Sequence, residues 1–237
     1  MGGGSTSEVL PSGGSYRSAA EQAMAGALAK ASISVDAVDC IMVTGVGAAS
    51  SPFSGRHSSE ITCQARGVYR LFPSVRTLVD IGGQATRVIR VDEWGGVVNF
   101  VVSEKCAAGS ARFLEILGRV LGVQVEEMGP LSLRSQNQIR FSTGCAVFAE
   151  SEAVSRIAEG GRKEDIVAGV HMAMATKVSN LIEMLGMELD CALTGGGARN
   201  SGLVSSVARV LGIALAVPEE PQLTAALGAA LMAQGSS

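Results

Sequence analysis

Residues 78–89 read Leu-Val-Asp-Ile-Gly-Gly-Gln-Ala-Thr-Arg-Val-Ile: an apolar run reaches a carboxylate, breaks at two glycines and resumes as a β-branched run. β-Branched residues suit the pleated surface of a sheet and paired glycines reverse the chain, so the segment reads as strand, tight turn and return strand. A third run, 97–102, follows the turn Asp92-Glu93-Trp94-Gly95-Gly96. Strands over 78–81, 86–91 and 97–102 are therefore expected as an antiparallel meander. Apolar spacings of three and four place helices around it: 15–31, Glu60–Leu71 closed by Pro73, one starting just after Cys106 with Phe113, Leu114, Leu117, Val120 and Leu121 in one stripe, and one starting near Cys145 with Val147, Val154 and Ile157. Lys163–Leu185 opens with Glu164 and Asp165, which favour a helix start, and two more helices are expected over about 200–211 and 222–233. Further strands over 38–44, 189–194 and 213–217 complete an α/β alternation.

The 237 residues suffice for one large or two small domains, and 47% hydrophobic against 17% charged residues is the composition of a chain that folds. A net charge of −3 and nine aromatics give neither a basic footprint nor stacking platforms for nucleic acid. No apolar run approaches the roughly 18 residues that cross a bilayer, and the opening Met1-Gly-Gly-Gly-Ser-Thr-Ser carries no export signal, so a cytoplasmic protein is expected. The five cysteines are odd in number, widely spaced and without a CxxC pair, which fits thiols or metal ligands better than disulfides.

Two glycine junctions carry the chemistry. At the first, Asp80 ends a strand before Gly82-Gly83-Gln84; glycine lets backbone N–H groups approach phosphate, and the aspartate can hold the accompanying magnesium through water. A hairpin that needs Gly82 and Gly83 only for backbone geometry has the same sequence. The second junction, Thr194-Gly195-Gly196-Gly197, passes from strand to helix, where a helix start can face a ribose or phosphate. Cys106 and Cys145 each stand just before an amphipathic helix, a position that favours the thiolate and suits iron ligation; two inert, partly buried thiols fit the same spacing. Four thiolates for a four-iron cluster arise only if two chains share it. Cys40 and Cys191 are expected in the core, Cys63 has no assigned role, and His57 and His171 are expected in surface or capping positions.

The stretches DIGGQATRVI (80–89), EKCAAGSARFLE (104–115), CAVFAESEAVS (145–155), TGGGARNSG (194–202) and VPEEPQLTAALGAAL (217–231) together resemble the ATPase and activator family that serves 2-hydroxyacyl-CoA dehydratases and benzoyl-CoA reductases. The resemblance runs from about Val9 to Ala233, and the CAAG and CAVFAESE segments are its specific part. It implies an α/β fold of two ribonuclease-H-like domains of the actin, Hsp70 and sugar kinase superfamily. The family pattern opens with a strand and a GxDxGST loop that residues 1–15 do not match, so the N-terminal domain is expected to lack its first strands. The expected division is a flexible leader over 1–14, an incomplete N-terminal subdomain over 15–76, a C-terminal subdomain over 77–221, and a helix over 222–237 that packs back on the first.

By the same resemblance, Cys106 and Cys145 are ligands of one [4Fe-4S] cluster held between two subunits, a homodimer or a paralogous heterodimer. Asp80, as the catalytic carboxylate, Gly82, Gly83 and Gln84 form a phosphate loop for ATP or ADP with Mg2+, while Thr194, Gly195, Gly196 and Gly197 lie against the adenosine. Hydrolysis would change the angle between the helices that start at the ligands and send a low-potential electron from ferredoxin or flavodoxin to a CoA-thioester reductase or dehydratase. Ala85 stands where the family commonly has Asp, and Gln64 where it often has His. The competing expectations are a cluster-holding subunit with a lapsed nucleotide site and a small-molecule kinase of the same superfamily, which would hold no iron.

Overall fold

The structure is a computed structural model that describes residues 4–103, 109–137, 139–141 and 146–235. Its helices are α1 (Tyr16–Ala31), α2 (Glu60–Leu71), α3 (Arg112–Leu121), α4 (Val125–Ser132), α5 (Ala146–Ala158), α6 (Lys163–Leu185), α7 (Ser201–Leu211) and α8 (Thr224–Gln234). The strands are β1 (Met42–Val43), β2 (Arg56–His57), β3 (Thr77–Ile81), β4 (Thr86–Val91), β5 (Val97–Val102) and β6 (Cys191–Thr194). They belong to two compact units, one running from Leu71 to Gln222 and the other formed by the chain up to Arg70 together with the chain from Leu223 onward.

In the split unit, α1 starts at Ser15, whose hydroxyl accepts from the Ser18 amide, and ends at Ser32 in the left-handed region. Its Ala-rich sequence has helix propensity but no strong apolar stripe, and none of its residues is buried. The segment expected as a leader lies along it: Thr6 donates to the Ala27 carbonyl, Lys30 donates to the Ser7 carbonyl, and Lys30 pairs with Glu8 at 2.6 Å. The strand expected over 38–44 shrinks to β1, which pairs in parallel with β2, and Cys40 is half-buried rather than in the core. Buried side chains come instead from α2 and α8, which cross so closely at Gly67 and Gly228 that a Cβ on either would run into the other helix's backbone.

The continuous unit holds a four-stranded sheet in the order β5-β4-β3-β6. The β3–β4 and β4–β5 pairs are antiparallel, as the meander predicts, and β6 lies parallel to β3 with Thr194 opposite Asp80. The strand expected over 213–217 is reduced to one parallel bridge, Ala192 to Ala216. Val79, Ile81 and Val88 point into a core closed by Phe113, Leu114 and Leu117 of α3, Val167, Val170 and Met174 of α6, and Leu203 and Val207 of α7. The helix α4, whose interior holds Pro130, is not among the helices expected from the sequence; a capping box of Gln124 and Glu127 starts it. The seven residues from Asp165 to His171 are all buried, so α6 is enclosed on every side at its start. That enclosure corrects the surface role expected of His171, which is 0% exposed.

Candidate functional site

The parallel pair β3 and β6 ends in two glycine loops side by side, at the carboxyl edge where open α/β sheets bind ligands. On the first loop the Gly82 amide donates to the Ala85 carbonyl at 3.0 Å, closing the hairpin. Gly83 and Gln84 at its tip are exposed. On the second, Gly195 has φ +81°, the left-handed region open to glycine, and its amide donates to the Pro221 carbonyl at 2.8 Å. A Cβ on Gly195 would lie 2.5 Å from the Ile81 carbonyl oxygen and 2.6 Å from Asp80 Oδ1; one on Gly197 would lie 2.5 Å from Ile81 Cγ2. The absence of side chains at Gly195 and Gly197 is thus what lets the two loops close on each other.

Asp80 stands between them, 1% exposed. Arg87 Nη1 donates to Asp80 Oδ2 at 2.8 Å, and Thr194 Oγ1 donates to Asp80 Oδ1 at 3.3 Å. Burial pushes the carboxyl above the ordinary carboxylate range, while the Arg87 charge and the hydrogen bonds from Arg87 and Thr194 pull it back. The carboxylate expected to face magnesium is therefore engaged by protein on both oxygens. Sequence reasoning misses Arg87, although a basic residue opposite Asp80 in a hairpin with a two-glycine turn is what the register yields.

Beyond the second loop, Asn200 caps α7 by accepting from the Leu203 amide at 3.0 Å, while its buried Nδ2 has no hydrogen-bond partner among the described residues. Farther into the same unit, His171 Nδ1 and Ser132 Oγ are 2.9 Å apart, and burial lowers the His171 pKa to about 4. Cys191 is buried in β6, where burial pushes the thiol up to about 12, and Cys63 is buried in α2. Gln64 of α2 accepts from the Thr224 hydroxyl at the start of α8. The expected cluster ligands Cys106 and Cys145 lie outside the described residues. Among the described residues no group of three or more His, Cys, Asp or Glu is arranged to hold a metal, and no helix is long and apolar enough to cross a membrane.

Strand, two-glycine hairpin and return strand beside a parallel strand that ends in a glycine loop define an α/β ATPase domain of the actin and Hsp70 type. More narrowly, the chain belongs to the BadF/BadG/BcrA/BcrD ATPase family, whose pattern matches residues 3–233. It is 44% identical over 193 residues to the 2-hydroxyisocaproyl-CoA dehydratase activator of Clostridioides difficile, covering 81% of this chain and 73% of that one. It is 34% identical over 219 residues to a subunit of the benzoyl-CoA reductase of Thauera aromatica, covering 90% and 77%. The solved structure of the activator of the 2-hydroxyisocaproyl-CoA dehydratase from Clostridium difficile with bound ADPNP superposes with a TM-score of 0.87 at 40% identity, over 90% of this chain and 80% of that one. The family is the ATPase activator component of dehydratase and reductase systems.

Proposed function

We propose that the chain is an iron–sulfur ATPase subunit that couples ATP hydrolysis to low-potential electron transfer into a CoA-thioester dehydratase or reductase. The observation that carries the reading is the pair of facing glycine loops bridged by Asp80 at the carboxyl ends of β3 and β6. The residues present fit a nucleotide: Gly195 and Gly197 let the second loop close against Ile81 and Asp80 of the first, and Asn200 Nδ2 is a buried donor without a partner among the described residues. Gly82, Gly83 and Gln84 would hold the phosphates, and Thr194 with Gly195, Gly196 and Gly197 would lie along the adenosine. Asp80, engaged by Arg87 and Thr194, would act on Mg2+ through water while fixing the spacing of the two loops.

A [4Fe-4S] cluster, when bound, supplies one-electron chemistry at low potential, and Cys106 and Cys145 of two chains make up its four thiolates. The two chains are copies of this one or a paralogous pair, ferredoxin or flavodoxin is the electron donor, and the site of action is the cytoplasm. A second reading, a cluster-holding subunit that has lost nucleotide turnover, is favoured by the Asp80–Arg87 pair together with Ala85.

Anaerobic purification followed by iron and acid-labile sulfide analysis tests the cluster: about four of each per dimer are expected, with loss in both Cys106→Ala and Cys145→Ala. A full complement in either variant overturns the ligand assignment. Calorimetric titration with ATP separates the two readings, since a chain that keeps its iron and binds no nucleotide supports the second.

A further inference from the structure

Three helices meet at His171, whose ring on α6 lies beside Ser132, the last residue of α4, and Gly202 in the first turn of α7. His171 Nδ1 stands 2.9 Å from Ser132 Oγ, and that hydroxyl donates its hydrogen to the Gly129 carbonyl at 2.9 Å. With the hydroxyl hydrogen already used, Ser132 can only accept from the ring, which assigns the imidazole proton to Nδ1. Nε2 is then a bare lone pair, buried and without a partner among the described residues. Glycine is what brings the helices this close. A Cβ on Gly202 would run into Ser132 Oγ and lie 2.8 Å from both the Gly129 carbonyl oxygen and His171 Nδ1. One on Gly129 would lie 2.8 Å from Ser201 Oγ and 3.1 Å from Asn200 Oδ1. The Ser132 hydroxyl thus fills the space that a side chain at 202 would take, and α4 abuts the residues that open α7. Asn200 joins that crossing to the second glycine loop: its amide donates to the Gly197 carbonyl at 3.2 Å, and its Oδ1 accepts from the Leu203 amide at 3.0 Å.

We propose that His171 is a positioning residue: donating from Nδ1 to Ser132, which donates to Gly129, it seats α4 on the first turn of α7 and so sets the Asn200 side-chain amide beside the second glycine loop. The proposal rests on the nucleotide reading above and names the buried relay that aims the unpartnered Asn200 Nδ2. Every member of the relay belongs to the unit from Leu71 to Gln222 and is buried. In a close-packed interior a hydroxyl that loses its partner turns or shifts, and its neighbours move with it. The relay needs a donor at Nδ1 rather than the bulk of a ring, because bulk alone leaves the Ser132 oxygen without the bond that fixes its direction.

The test uses the full chain, purified anaerobically. A long-range 15N–1H spectrum of the imidazole should show the Nδ1–H tautomer; the Nε2–H tautomer overturns the proposal. ADPNP affinity is measured by calorimetry, and hydrogen exchange is read at the Leu203 amide, with the Ile89 amide in the sheet as reference. Ser132→Ala, which adds no bulk, should quicken exchange at Leu203 about five-fold or more over Ile89 and weaken ADPNP binding by a similar factor. His171→Leu should do the same. His171→Asn restores a donor where Nδ1 stands and should stay within about three-fold of the native chain in both measurements. Native binding and native Leu203 exchange in Ser132→Ala overturn the proposal. So does a loss in His171→Asn as large as that in His171→Leu, since the site would then need the ring's shape alone. A native chain that binds no ADPNP overturns the nucleotide reading and with it this role for Asn200, while the tautomer and the Leu203 exchange report on the relay separately.

Discussion

At Asp80 the balance is between an expensive buried carboxylate and the two groups that make it tolerable. Taking Arg87 away leaves that charge without its partner, and breaking a buried pair from one side typically costs about 3–5 kcal/mol. Arg87→Ala should lower the urea midpoint accordingly, whereas Asp80→Asn, which removes the charge and keeps an acceptor for Thr194, should cost less; equal losses would show that the pair does not act as a unit. His171 gives a second effect, in pH. Its folded pKa of about 4 lies below the ordinary 6.5, so the unfolded chain binds more protons between those values. The stabilisation is complete above about pH 6.5 and falls as acid is added toward pH 4, by about 3 kcal/mol in all. Urea titrations at pH 7 and 4.5 check it: His171→Asn should lose much less on acidification than the native chain. The shift runs the same way at Asp165 but from a lower starting value and for another cause: its carboxylate accepts from the Asn137 amide, the Ser135 hydroxyl and the Gln136 amide and is held below the usual range. Its contribution is present above its ordinary pKa and disappears only below that, so the His171 window is separate from it.

Helices α2 and α8 show how an element can depend on having no side chain. Gly67 faces the Thr224 carbonyl and Gly228 faces the Cys63 carbonyl, both inside the crossing that supplies most of the buried surface of the split unit. Gly67→Ala or Gly228→Ala gains helix propensity and should still destabilise, by about 1–3 kcal/mol, because backbone rather than a flexible side chain stands in the way. Hydrogen exchange should quicken in α2 and α8 while β3 and β4 stay as protected as before; uniform change across both units would contradict the assignment. Where an element's own pattern is strong, the sequence reading and the structure agree: α2, α6, β4 and β5 fall on the expected residues because period and flanking breakers both mark them. Where neighbours decide, they part. The run over 38–44 is apolar enough for a strand, but only Met42 and Val43 find partners, and α4 forms through a tertiary setting that accommodates Pro130.

The molecule as a whole divides by the depth of its cores. Every residue of the main apolar cluster lies between Leu71 and Gln222, a continuous stretch, whereas α1 of the other unit buries nothing. A fragment of residues 71–222 should therefore fold alone, with a cooperative thermal transition and native-like far-UV circular dichroism; a fragment without a transition would show that its core needs the rest of the chain. The sequence alone determined the α/β class, the three-stranded meander, the two glycine loops and the resemblance to the activator ATPases, because each is written in local pattern or in contiguous motif. Tertiary structure alone decided that Asp80 is held by Arg87 and Thr194, that His171 is enclosed with Ser132, and that Ser103 and Ala111 bind the hairpin from either side. Those pairs join residues 7, 114, 39, 17 and 29 positions apart; except for Asp80 and Arg87, which the hairpin register sets opposite each other, these are separations at which periodicity carries no information and only strand pairing and helix packing bring the groups within reach.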